Sequence, residues 1–80
     1  MATKPSEHKI VQTCLALSQD VMKLPAEYMW IDYDREADVL YVSFRRPQRA
    51  KRTIETDDDI LIRKDGAMIV GITILHASTR

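Results

Sequence analysis

Eighty residues, 45% of them apolar, make one domain, and a domain of this size buries only about 60% of the surface its unfolded chain exposes, so a large self-sufficient core is excluded. Twelve basic and twelve acidic residues cancel, which excludes bulk electrostatic attraction to nucleic acid or to an anionic membrane. The single Cys14 excludes an internal disulfide, and with no apolar leader or membrane span in view the expected location is cytoplasmic.

In chain order, residues 1–5 are expected to be disordered, and a helix is expected over 6–24, with Ser6 as N-cap and Glu7 favourable in the first turn. Apolar residues recur at Ile10, Cys14, Leu17, Val21 and Leu24, spaced by four and three, while Val11, Leu15 and Met22 widen the stripe. Pro25 stops it, because the ring removes a donor and disfavours helical backbone at Leu24. Residues 28–76 read as an antiparallel sheet. Met29–Tyr33 and Val39–Phe44 are strand-like runs joined by the polar pentad Asp34–Asp38, a hairpin. The run Arg45–Arg52 holds five positive charges in eight residues and a proline, so it is a loop. Thr53–Thr56 suits a short strand, Asp57-Asp58-Asp59 a turn and Ile60–Arg63 a strand. Asp65-Gly66 then supplies the positive φ angles of a tight hairpin before the strand Met68–Leu75. The fold class is therefore α+β, one amphipathic helix packed on a four- to five-stranded antiparallel sheet.

The pattern Tyr33-Asp34-x-x-x-Asp38-x-Leu40-Tyr41, then Asp57-Asp58, Asp65-Gly66 and Val70-Gly71-Ile72-x-Ile74-Leu75-x-Ala77-Ser78 resembles the bacterial domain-of-unknown-function family 2283 (DUF2283), over roughly residues 29–80. The resemblance implies a small antiparallel sheet domain with no established activity. Its genes often sit beside those of small toxin-like proteins, which makes an antitoxin-like role the biological version of that expectation. It brings no catalytic or ligand-binding residues, and the helix lies outside it.

Read for chemistry, the chain offers no nucleophile beside a base and no phosphate loop, so it is not expected to be an enzyme or to hold a cofactor. Asp34-x-Glu36-x-Asp38 superficially suggests a calcium loop, yet Val39 stands where the loop needs Gly and Arg45 where it needs the bidentate Glu. Asp57-Asp58-Asp59 has no second acidic cluster to complete an oxygen cage, so both clusters are expected to be turns and no metal is expected. His8 and His76 lack partners at zinc spacing and are expected at the surface. Cys14, on the helix stripe, is expected to be a small buried hydrophobe. Arg45, Arg46, Arg49, Lys51 and Arg52 are the candidates for nucleic-acid contact. No aromatic interleaves them and Glu55 and Asp57–Asp59 follow closely, so a solvated loop is favoured.

Strand alternation puts Ile31, Leu40, Val42, Phe44, Ile60, Ile62, Val70 and Ile72 on one face and Trp30, Tyr41, Leu61 and Ile69 on the other. One helix covers one face, so the expected function is that of a homodimeric protein-interaction module. Its interface candidates are Trp30, Tyr41, Leu61 and Ile69, or the wider helix side at Val11, Leu15 and Met22. A small toxin-like protein is the heterologous alternative for that surface, and a nucleic-acid binder using residues 45–52 is the runner-up function.

Overall fold

The structure is a computed structural model, and it describes residues 5–80. Helix α1 runs Pro5–Val21. Pro5 takes the first helical position, where its missing N–H is one the helix leaves free anyway and its φ is preset. Ser6, expected as the N-cap, therefore lies inside the helix, and apart from Pro5 the stretch expected to be disordered lies outside the described residues. At the other end Met22 N still donates to Ser18 O, but Lys23 N and Leu24 N donate to carbonyls only three residues back, Asp20 O at 3.1 Å and Val21 O at 3.0 Å. This tightened turn, forced by Pro25, ends α1 at Val21 rather than at Leu24.

Five strands follow: β1 Trp30–Asp34, β2 Val39–Ser43, β3 Arg52–Glu55, β4 Ile60–Asp65 and β5 Met68–Leu75, with a single 3-10 turn at Ala77–Thr79. They form one sheet in the order β1-β2-β5-β4-β3, every pair antiparallel. Each tight connection has its local cause. Asp34 accepts the Ala37 N–H at 3.1 Å and Asp38 takes a φ of 56°, which closes β1 on β2. The Thr56 hydroxyl accepts the N–H groups of Asp58 and Ile60, and Asp59 at φ 57° closes β3 on β4. Gly66 at φ 62° closes β4 on β5. The exception is residues 44–51: β2 is second in the sheet and β3 is at its far edge, so this segment must cross β5 and β4.

The register decides what each face is. One face carries Ile31, Val42, Ile72, Ile62 and Ile54 in a row across all five strands, with Tyr33, Leu40, Ile74 and Ile60 beside it. The other carries Trp30, Ser43, Gly71, Arg63 and Thr53 in one row and Asp32, Tyr41, Thr73, Leu61 and Glu55 in the next. A register shift at Arg63/Lys64 pairs Lys64 with Ile69 and leaves Val70 as the extra residue of a bulge. Ile69, expected beside Trp30 and Tyr41, consequently lines a hollow with Phe44 and Ile72 instead.

The helix does not lie on the sheet. Every residue from Ser6 to Asp20 is exposed and Val21 alone is half-buried, so the α+β class with one N-terminal helix stands while the packed arrangement does not. The tightened turn and Pro25 end α1 short of the sheet face, and the connector Leu24–Glu27 lines a hollow with Phe44, Met68, Ile69 and Ile72. The molecule measures 49 × 28 × 20 Å with a radius of gyration of 15.0 Å. A globular chain of this length has about 12 Å.

Candidate functional site

An apolar sheet face lies uncovered by the helix. Of the apolar residues described, only Val70, 1% exposed, and Val39, 8% exposed, are buried. Leu40, Val42, Ile60, Ile62, Ile72 and Ile74 are half-buried, shielded by neighbours within the sheet, while Ile31, Tyr33 and Ile54 at its margins are exposed. The chain presents 6704 Å² to solvent. A folded monomer of 9.2 kDa presents about 4,900 Å² by the usual scaling of surface with mass. The excess, about 1,800 Å², exceeds the roughly 800 Å² that one partner contributes to a standard interface. On α1, Ile10, Val11, Leu15 and Leu17 stand in water as well. Cys14, expected to be buried, is exposed for the same reason.

The remaining interface candidates take different places. Trp30 is half-buried and stacks on Tyr28 with ring centroids 6.3 Å apart, Tyr41 is exposed and Leu61 half-buried, all on the face they share with Asp32, Arg63 and Glu55. That face also receives the crossing segment. Gln48 lies over Gly71, so close that a Cβ there would collide with its amide. The Gln48 amide donates to the Ser43 hydroxyl at 2.8 Å and accepts from Arg63 Nε at 3.2 Å.

The same crossing accounts for the basic loop. Arg45 donates to the Gln48 and Arg49 carbonyls and pairs with Asp65 at 2.9 Å, and Lys51 Nζ lies 3.6 Å from the same carboxylate. Arg45, with Lys51 behind it, holds the Asp65 carboxyl below the usual carboxylate range. Arg46, Arg49 and Lys51 therefore rim a shallow hollow of about 530 Å³ that contains a carboxylate, and Arg46, Arg49 and Arg52 have no ion pair among the described residues.

Sequence reasoning missed a clasp built on Asp38. Its carboxylate accepts from the Tyr33 hydroxyl at 2.5 Å, the Ser78 hydroxyl at 2.7 Å and the Ser78 N–H at 3.0 Å, and its carbonyl accepts the Ala77 N–H at 3.0 Å. The Tyr33 hydroxyl, then Ser78, holds the Asp38 carboxyl low, and that same bond to Asp38, then burial, pushes the Tyr33 phenol up. Nearby Leu75 N donates to Asp59 O, and Arg80 pairs with Asp58 at 3.2 Å. The Tyr33, Asp38 and Ala77-Ser78 motif thus ties the chain's end to the first hairpin. The signal was present in the spacing, as an Asp at a positive-φ turn position and a Ser far downstream, but no local rule joins residues forty apart.

Elsewhere His8 is exposed and His76 Nε2 lies 3.7 Å from the Asp59 carboxylate. Among the described residues no three His, Cys, Asp or Glu side chains converge as metal ligands, and no helix is long and apolar enough to cross a membrane. Comparison with curated proteins gives no match, and comparison with solved structures gives none. One family model matches, that of "Protein of unknown function (DUF2283)", over residues 30–78, from the first strand to the Ser78 that closes the clasp. The chain belongs to the DUF2283 family, with α1 standing outside the shared sheet.

Proposed function

We propose that this chain is a protein-interaction module without chemistry of its own, working as a homodimer assembled through the face of Ile31, Val42, Ile72, Ile62 and Ile54. The observation that carries this reading is an apolar sheet face left without a cover and with no charged residue in its two central rows, in a chain that presents about 1,800 Å² more surface than a monomer of its mass. Assembly through strand edges is disfavoured, since β1 ends in Asp32 and Asp34 and β3 carries Arg52 and Glu55, the charges that keep edges from pairing. Zero net charge adds no repulsion between copies.

Light scattering on a size-exclusion column tests the proposal: the chain alone at micromolar concentration is expected at twice 9.2 kDa. Ile62→Glu, which puts a charge in the middle of the face, is expected to break that species. A small toxin-like protein on the same face is the antitoxin-like outcome. In that case the chain alone runs at 9.2 kDa and gains mass only when the companion protein is added.

A further inference from the structure

We infer that the dimer is helix-exchanged: α1 of each chain lies across the apolar sheet face of its partner. This deepens the homodimer reading and rests on it. Three observations lead here. First, α1 is amphipathic yet exposed from Ser6 to Asp20, with only Val21 half-buried, so its stripe of Ile10, Cys14 and Leu17 lacks the apolar surface that such a stripe requires. The sheet face lacks a cover in the same way, and each is the kind of surface that the other buries. Second, the dimensions agree. Seventeen helical residues span about 26 Å and five strands about 19 Å, so one helix crosses the face from edge to edge.

Third, the connector decides between a chain's own face and its partner's. Leu24, Pro25, Ala26 and Glu27 line a hollow of about 360 Å³ at one end of the chain's own face, across from Phe44, Met68, Ile69 and Ile72, while α1 from Ser6 to Asp20 stays uncovered. Folding α1 back over the same sheet would reverse the chain at Pro25 and displace the connector from the rim of that hollow. Reaching a second copy leaves the connector where it is. Exchange of an identical element also closes a two-fold dimer without a new surface. The second line of the helix, Val11 and Leu15, with Met22 just past its end, then faces its two-fold mate and accounts for a stripe wider than one sheet needs.

The test is an isotope-filtered NOE experiment on the full chain, labelled and unlabelled copies mixed in denaturant and refolded together, with light scattering on the same sample. Contacts between Leu17 or Val21 methyls of one copy and Ile62 or Ile72 methyls of the other support the exchange. The same contacts found only within one copy of a dimer overturn it and leave the homodimer intact. A dimer whose helix methyls touch no sheet also overturns it, and a 9.2 kDa monomer overturns both readings.

Discussion

Asp38 joins the first hairpin to the last turn, because its carboxylate accepts one hydrogen bond from Tyr33 within the hairpin and two from Ser78 forty residues on. Its carboxyl is depressed by the Tyr33 hydroxyl and by Ser78, so the stability it contributes is present above the ordinary aspartate value of about 4 and is lost as pH falls through the folded value. Asp65, depressed by Arg45, adds to the same acid limb. Tyr33 is raised, so its contribution is present below about pH 10 and is lost as pH rises through the folded value. Asp38→Asn tolerates the left-handed backbone, removes the charge and replaces one acceptor oxygen with an NH2 donor. It should lower the melting temperature at pH 7, with the difference from the parent closing as pH falls through the lowered folded value of Asp38, where both side chains become neutral. A difference that stays constant with pH would show that the charge is not what holds the clasp. Gly71 makes a second residue-scale claim, since any Cβ there displaces the Gln48 amide from Ser43 and Arg63. Gly71→Ala should therefore destabilise, and Gly71→Ala with Gln48→Ala should cost at least about 0.5 kcal/mol less than the two changes summed. Denaturant unfolding of the four proteins measures it.

At the scale of elements, the basic loop is a crossing connection rather than a free arm. Arg45 and Lys51 are engaged with Asp65, and Arg63 with Gln48, which leaves Arg46, Arg49 and Arg52 to contact any polyanion. Oligonucleotides should bind no tighter than about micromolar at physiological salt, the range of non-specific contact. Sub-micromolar binding lost in Arg46→Ala with Arg49→Ala would make the loop a nucleic-acid site. The strands and turns were legible in the sequence because each has a local cause: period-two apolar runs, an Asp-Gly turn, and Asp at positive φ. The helix was legible from its stripe of Ile10, Cys14, Leu17 and Val21. Its position was not, since a stripe shows that a helix needs an apolar partner and not which chain supplies it. Ile69 was misplaced because a bulge inserts a residue without changing composition, and period-two counting passes straight through it. The route of residues 44–51 over Gly71 follows from the strand order, which no local pattern encodes.

At the scale of the whole molecule, the proposed homodimer would make each chain half of a structure. With Val39 and Val70 the only buried apolar side chains among the described residues, a sheet of five strands has little to set against the entropy of ordering it, so stability should be tied to assembly. The melting temperature should therefore rise with protein concentration, by several degrees between about 1 and 100 μM, a hundredfold change worth about 2.7 kcal/mol by mass action. A melting temperature independent of concentration would mean that a single chain is sufficient. The most direct measurement is sedimentation equilibrium of the parent chain beside Ile62→Glu and Leu17→Glu, one change on the sheet face and one on the helix stripe. We predict a parent at twice 9.2 kDa with both variants weakened at least a hundredfold, about 2.7 kcal/mol in association. A parent that sediments as a folded 9.2 kDa monomer across that range, unchanged by either substitution, would contradict the account.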